Sequence, residues 1–134
     1  QTGVLTYANA GHNPPRAVLG QRVETLGEAH PVDLALGVLP GTAYASYQQT
    51  LSHGEILLLY TDGVTEAFNA TNEAYAEKRL DSLLTSVGHL APEEVLESLL
   101  QDVTRHAAGA SQSDDITIAA LKWQPAKAAE APRS

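Results

Sequence analysis

The sequence contains no cysteine and no methionine. The absence of cysteine excludes disulfide bonds and thiolate metal sites, and it is compatible with the cytoplasmic location that we expect. Because residue 1 is glutamine rather than methionine, we expect the chain to be a segment of a longer protein. Residues 1–12 carry no charged region followed by an apolar run, so they lack the pattern of a signal peptide.

Long apolar runs and clustered basic residues are also missing. The longest apolar run, Ile56–Tyr60, has the length of a β-strand, whereas a membrane-spanning helix needs roughly 18 to 20 apolar residues. Only 8 Lys and Arg residues stand against 16 Asp and Glu, which gives a formal net charge of −8. Nucleic-acid binding needs clustered basic residues, so we expect neither a nucleic-acid site nor a nucleic-acid partner. The excess of carboxylates fits a site that a divalent cation neutralises.

The first half of the chain has the pattern of β-strands. Runs at 16–19 and 22–26 flank Gly20-Gln21 and predict a hairpin. Further strands are predicted at 4–8, 44–51 and 55–61, and the last of these has the apolar composition of a strand buried on both faces. Residues 34–38 are apolar as well, and they end at the turn signal Pro40-Gly41.

The second half changes to the period of helices. One helix is predicted to begin near 73–77 and another at Pro92, since proline and the acids after it suit a first helical turn. Their predicted core faces are Leu80, Leu83, Leu84 and Val87 in the first helix, and Val95, Leu96, Leu99, Leu100 and Val103 in the second. A strand at 116–123 follows, and we expect 124–134 to be a disordered tail or a linker. This order predicts an α+β fold in which helices cover an antiparallel sheet.

Two carboxylate motifs stand at predicted strand ends. Asp62 directly follows the apolar strand and precedes Gly63, and Asp114 and Asp115 open the last strand. If the last strand pairs with the strand at 55–61, Asp62 and Asp114 lie at the same end of the sheet. Adjacent carboxylates repel one another, and a divalent cation with hard oxygen ligands relieves that repulsion. The alternative for each motif is an ordinary turn beside a strand.

Two further residues are weaker candidates. Glu66 faces the same site if a helical turn begins at Val64, although an exposed loop glutamate is the simpler interpretation. The five histidines show no short metal-ligand spacing. His12 lies in the constrained turn Gly11-His12-Asn13-Pro14, where it serves either the site or the turn itself.

Four segments in order resemble one enzyme family. They are 7–15 (YANAGHNPP), 36–38 (LGV), 57–67 (LLLYTDGVTEA) and 112–117 (QSDDIT). The chain is similar to the PPM-type metal-dependent serine/threonine protein phosphatases, in the bacterial branch typified by stage II sporulation protein E and the stress-response phosphatases. The resemblance implies an α+β fold, half of a four-layer α-β-β-α sandwich of antiparallel sheets flanked by helices. Residues 1–123 would be the C-terminal portion of this phosphatase domain.

The resemblance also implies a site for two Mn²⁺ or Mg²⁺ ions. Carried over residue by residue, Asp62 and Asp114 match the catalytic metal ligands. Gly63 and Asp115 occupy the positions after them, and Glu66 matches a place where relatives carry an acid that helps to hold an additional metal. The family's other ligands, a Gly-Asp pair and an Asp-Gly motif, belong to its N-terminal half. We therefore expect this chain to hold about half of the active site and to be inactive by itself.

The sequence departs from the family pattern at two places. His12 falls where eukaryotic relatives carry an aspartate, which implies that the additional metal site is altered. Tyr75-Ala76 stands where these phosphatases usually have Phe-Gly, and there we expect a change in packing rather than in chemistry.

The implied reaction is hydrolysis of phosphoserine or phosphothreonine on a regulatory protein, for which the family suggests a phosphorylated anti-sigma-factor antagonist. The resemblance further implies an N-terminal sensory domain in the parent chain, and it leaves a homodimer and an upstream membrane tether open. One alternative is a catalytically inactive, phosphatase-like interaction domain. Another is an unrelated α+β domain in which the matches arise by chance.

Overall fold

The computed structural model describes residues 2–30, 33–111 and 114–125. The predicted tail therefore lies mostly outside the described residues. In chain order the elements are β1 (Val4–Tyr7), β2 (Arg16–Leu19), β3 (Arg22–Thr25), β4 (Tyr47–Thr50), β5 (Ile56–Tyr60), α1 (Asp62–Thr65), α2 (Ala76–Val87), α3 (Pro92–Ala107) and β6 (Ile118–Lys122). This order confirms the predicted α+β class, since antiparallel strands precede two helices and a final strand.

The strands form two antiparallel sheets. The larger has the order β3-β2-β5-β6, and the smaller pairs β1 with β4. Leu19 pairs with Arg22 across Gly20-Gln21, as the hairpin prediction requires. β5 pairs with β6 in the register that sets Tyr60 opposite Ile118. The predicted pairing of the apolar strand with the last strand is therefore confirmed.

β5 is buried on both faces because it lies between two layers of side chains. Ile56, Leu58 and Tyr60 point into a core that α2 and α3 complete, with Leu84 and Leu99 among its fully buried residues. Leu57 points to the opposite face and packs in a second cluster, to which Leu5 and Tyr7 of β1 contribute. The alternation follows from the two-residue period of a strand. The larger sheet thus has the helices on one face and the smaller sheet on the other.

Two predictions of detail were wrong. The strand predicted at 44–51 is limited to β4. The apolar residues 34–38, for which no element was predicted, are exposed, and Leu36 is 76% exposed. Leu100 is 48% exposed although it was assigned to the core face of its helix. In α3 the buried stripe is Val95, Leu99 and Val103, each four residues from the next. Leu100 lies about 100° around the helix from Leu99, at the edge of that stripe.

Arg16 is a charged residue buried to 2% exposure at the start of β2. Its guanidinium contacts Glu77 at 3.0 Å and Asp81 at 2.9 Å, both on α2, and donates a hydrogen bond to Thr25 Oγ1 on β3. It also lies 5.9 Å from the centre of the Tyr60 ring. Because both carboxylates belong to α2, the buried cation fixes that helix against the sheet.

Tyr75 precedes α2 and is 2% exposed. Its hydroxyl donates a 2.7 Å hydrogen bond to Asp102 on α3, a contact that phenylalanine could not make. Burial raises the pKa of Asp102, but the hydrogen bonds from Tyr75 and Arg79, with nearby positive charge, outweigh it and leave that pKa below its usual value. Tyr75, at a position where the resemblance implies phenylalanine, therefore connects the start of α2 to α3.

We predict that two neighbouring leucines of α3 contribute very differently to stability. Leu99→Ala should destabilise the protein by about 2–5 kcal/mol because Leu99 is 1% exposed and its loss leaves a cavity. Leu100→Ala should change the free energy of unfolding by no more than about 0.5 kcal/mol. Urea denaturation of the full-length protein measures both, and equal losses would contradict the assigned helix face.

A second stability prediction concerns Ala76, which has φ of 61° at a position where the resemblance implies glycine. A Cβ in this left-handed conformation costs roughly 1–2 kcal/mol. Ala76→Gly should therefore stabilise the protein, by about 1 kcal/mol or less after the entropy of glycine is counted. Ala107→Gly at the end of α3 is the matched control and should destabilise it. Thermal unfolding that ranks the two variants the other way would refute the strain at Ala76.

Candidate metal site

The pairing of β5 with β6 brings the two carboxylate motifs together. Beyond the strand ends, the Thr61 amide donates to the Thr117 carbonyl at 3.0 Å. The Thr61 hydroxyl donates to the Asp115 carbonyl at 2.9 Å and accepts from the Thr117 amide at 3.0 Å. Thr61 therefore fastens the segment that carries Asp114 and Asp115 to the residue just before Asp62.

Gly63 allows the closest approach in this region. A Cβ built on Gly63 would lie 2.3 Å from the Asp115 carbonyl oxygen and 3.0 Å from the Asp114 carbonyl oxygen. Both are backbone atoms, so any larger residue would push the two motifs apart. The role of Gly63 in the structure is therefore steric: it permits the contact on which the site depends.

Asp62 begins the short helix α1 and is exposed. Its Oδ1 accepts a 2.5 Å hydrogen bond from the side-chain amide of Asn13, which lies in the turn after β1. That turn is held internally, because Asn9 Oδ1 accepts from the His12 amide and Asn9 Nδ2 donates to the His12 carbonyl. Asn13 is thus a site residue that the sequence analysis did not assign, although its motif was recognised. Because Asn13 follows Gly11-His12 and precedes two prolines, its local sequence indicates a turn and gives no sign of a contact with Asp62.

The other candidates lie nearby with different contacts. Asp114 and Asp115 are exposed, and the Asp115 amide donates to Asp114 Oδ1 at 2.7 Å. Glu66 is exposed at the end of α1, where its amide donates to the Asp62 carbonyl at 2.7 Å. His12 uses its ring Nδ1 against the Asn13 carbonyl at 3.0 Å, which supports the turn. The helical turn predicted at Val64 is present as α1.

Carboxylate oxygens are the donors that Mn²⁺ and Mg²⁺ prefer, so the chemistry of Asp62, Asp114 and Asp115 fits the implied metals. Within residues 2–30, 33–111 and 114–125, however, no group of three or more His, Asp or Glu side chains is arranged to hold a metal ion. The described residues therefore supply part of a ligand set.

Tyr60 lies directly beneath this region, with 2% exposure. Its hydroxyl has no hydrogen-bond partner within the described part of the chain. Burial raises the pKa of Tyr60, and the Arg16 charge offsets only part of that shift, so the phenol is neutral at physiological pH. The negative charge of Asp62 also raises the pKa of Tyr60.

Among the helices of the described residues, none combines the length and the apolar character that crossing a bilayer requires.

We predict that the Thr61 hydroxyl holds the Asp114–Asp115 segment in place. Thr61→Val keeps the side-chain shape but leaves the Thr117 amide and the Asp115 carbonyl without this partner, so it should destabilise the full-length protein by about 1–3 kcal/mol. Thr61→Ser retains the hydroxyl and is the control. Denaturation midpoints that are equal for the two variants would show that the hydroxyl does not fasten this segment.

Comparison with known proteins gives consistent matches. The sequence model of the stage II sporulation protein E (SpoIIE) family matches residues 1–124. Protein IcfG of Synechocystis is 34% identical over 120 residues, which cover 89% of this chain and 18% of that protein. Phosphoserine phosphatase RsbU of Bacillus subtilis is 29% identical over 125 residues, which cover 88% of this chain and 34% of RsbU. The chain thus spans a third or less of these curated relatives.

Solved structures agree in fold. The SiaA-PP2C domain of Pseudomonas aeruginosa has a TM-score of 0.76 at 21% identity, covering 91% of this chain and 47% of that one. The phosphatase domain of SpoIIE from Bacillus subtilis has a TM-score of 0.72 at 16% identity, covering 96% and 56%. Since the family match extends over nearly all of the sequence, the chain belongs to the stage II sporulation protein E (SpoIIE) family.

Proposed function

We propose that the protein carrying this chain is a metal-dependent protein phosphatase that hydrolyses phosphoserine or phosphothreonine esters. The observation that carries the proposal is the meeting of Asp62 with the Asp114–Asp115 segment at one end of the larger sheet. Family membership and the relative named as a phosphoserine phosphatase support the reaction class.

Asp62 and Asp114 are the proposed metal ligands. Asn13 donates to Oδ1 of Asp62 and so fixes the plane of the carboxylate, which leaves Oδ2 as the oxygen we assign to the cation. Outer hydrogen bonds of this kind orient metal ligands. Asp115 and Glu66 are the proposed additional contacts, and Gly63 permits the site by its lack of a side chain. Two Mn²⁺ or Mg²⁺ ions, when bound, supply an activated water and neutralise charge on the phosphoryl oxygens.

The chain's own contribution is rigidity and negative charge. Thr61 and Gly63 hold the two motifs at a fixed separation, and both follow a strand that is buried on each face. A ligand on such a strand end is positioned more reproducibly than one on a free loop. We propose that residues 1–123 form the C-terminal portion of the domain and that the remaining ligands come from the N-terminal half, since the described residues supply an incomplete set.

The proposed substrate is a phosphorylated anti-sigma-factor antagonist. Support comes from the relative RsbU and from a solved Mycobacterium tuberculosis structure whose name combines RsbU and RsbW domains. We further propose that the parent protein acts in the cytoplasm, that it has an N-terminal sensory domain and that it forms a homodimer. These proposals follow the family resemblance, and the absence of cysteine is compatible with the location.

A phosphatase-like interaction domain without catalytic activity is the second candidate. The observation that favours it is the lack of a three-residue ligand group in the described part of the chain. It requires the parent protein to lack the remaining aspartates, so the sequence upstream of Gln1 and the activity of the parent protein distinguish the two candidates.

We predict a graded loss of manganese-dependent hydrolysis of p-nitrophenyl phosphate by the full-length protein. Removing an outer partner of a metal ligand commonly lowers activity by about 10–100-fold, which is the effect expected for Asn13→Ala. Asp62→Ala and Asp114→Ala remove ligands and should lower kcat/KM by more than about 100-fold. Glu97→Gln removes an equal charge on an exposed position of α3 and should leave the rate unchanged.

Manganese binding by calorimetry completes this test. The two aspartate variants should bind manganese more weakly than the wild type and Glu97→Gln. Full activity in both aspartate variants would refute the assigned ligands. An inactive wild-type protein that binds no manganese would favour the interaction domain.

A further inference from the structure

A small pocket lies on the far side of the turn that holds Asp62. Its cavity volume is about 70 Å³. It is lined by Tyr7 of β1, Tyr47 of β4, His12 of the turn, and His30 and Asp33 after β3, together with smaller residues. The smaller sheet, the turn and the segment after β3 all contribute, so the pocket exists only in the folded chain.

Three aromatic rings form much of its wall, and Tyr47 contacts the other two. The rings of Tyr7 and Tyr47 are tilted at 44° with centroids 5.9 Å apart, and His30 stacks on Tyr47 at 3.8 Å. Gly27 lies against this group, since a Cβ there would meet the Tyr7 hydroxyl at 3.1 Å, and its φ of +78° disfavours any other residue. Burial and the neighbouring Tyr47 raise the pKa of Tyr7, so its phenol is neutral at physiological pH. These contacts hold an aromatic wall in place.

The charge around the pocket is negative. Asp33 carries a carboxylate, and no lysine or arginine belongs to the described lining. An adjoining surface depression shares Tyr7 and His30 with the pocket and adds Glu24 and Glu28, although Arg22 pairs with Glu24 at 3.2 Å. Aromatic rings combined with carboxylates attract cations, and the same surroundings repel a phosphate.

The pocket and the candidate metal site are joined through two consecutive residues. His12 lines the pocket, and its ring contacts the Asn13 carbonyl at 3.0 Å, while the Asn13 side chain holds Asp62. A peptide whose phosphorylated residue lies at Asp62 can therefore reach the pocket with a nearby side chain.

We propose that this pocket binds the ammonium group of a lysine that lies close in sequence to the phosphorylated residue of the protein substrate. The proposal rests on the proposed phosphatase function for its connection to catalysis. In this proposal Tyr47, His30 and Asp33 select the substrate. Asp62 and Asp114 act on the phosphoryl group.

The test uses the full-length protein and phosphoserine peptides that carry one lysine, moved position by position along a glycine–alanine background. Each peptide has a partner with norleucine, which keeps the four-carbon chain of lysine and lacks its ammonium group. Cation–aromatic contacts are worth up to about 2 kcal/mol, so lysine at the favoured position should raise kcat/KM by about 5–30-fold over norleucine. The lysine-to-norleucine ratio is the readout, because it cancels any general loss of activity.

Two variants and one control locate the effect. Asp33→Asn and Tyr47→Leu should each bring the ratio close to one, and Glu97→Gln, which removes an equal charge on α3, should keep the wild-type ratio. If thermal unfolding shows that Tyr47→Leu is not folded, the test relies on Asp33→Asn. That substitution replaces one oxygen atom by an amino group beside the exposed residues 34–38.

The outcomes separate this proposal from the proposed function. If the wild type hydrolyses p-nitrophenyl phosphate but treats lysine and norleucine peptides alike at every position, the pocket proposal is overturned and the phosphatase assignment stands. If no phosphate ester is hydrolysed, the phosphatase assignment fails. Calorimetry then measures whether the pocket binds the lysine peptides more tightly than the norleucine peptides. Tighter binding of a lysine peptide that Asp33→Asn abolishes supports it, and equal binding of both peptides overturns it.

Discussion

The antiparallel pairing of β5 with β6 determines where every other part of the candidate site can lie. It places Asp62 and the Asp114–Asp115 segment at one sheet end, although more than 50 residues separate them in sequence. Gly63 is required for this arrangement because its missing Cβ leaves room for the Asp115 backbone. Backbone packing therefore determines where the carboxylates of the candidate site lie. A divalent cation would neutralise the negative charge of these carboxylates.

One buried contact and one exposed contact support that end of the sheet. Arg16 joins β2 to α2 through Glu77 and Asp81 and lies against Tyr60, two residues before Asp62. Asn13 reaches Asp62 from the turn after β1, so the smaller sheet is also connected to the site. Breaking a buried ion pair is commonly more damaging than its formation is stabilising, because the remaining charge is left without a partner. In the proposed phosphatase, these contacts would position Asp62 before any metal binds.

Periodicity and turn residues were enough to predict most of the fold. The hairpin at Gly20-Gln21, the doubly buried β5 and the start of α3 at Pro92 depend on local sequence, and all three were found. The error at Leu100 arose because tertiary packing overrides local pattern, since this residue lies beside the buried stripe of α3. The apolar residues 34–38 are also exposed. An apolar residue indicates a buried position only when another element packs over it, and the sequence does not say which elements do.

By itself the sequence determined the α+β class, the order of the elements and the choice of Asp62 and Asp114 as candidate ligands. It also indicated that the two would meet if the last strand paired with the strand at 55–61, and the structure shows that pairing. The tertiary structure alone decided that Asn13 holds Asp62 and that Thr61 and Gly63 join the motifs. It alone gathered Tyr7, His12, His30 and Tyr47 around one pocket. These contacts join residues far apart in the chain through side-chain geometry, which no local pattern of residue types encodes.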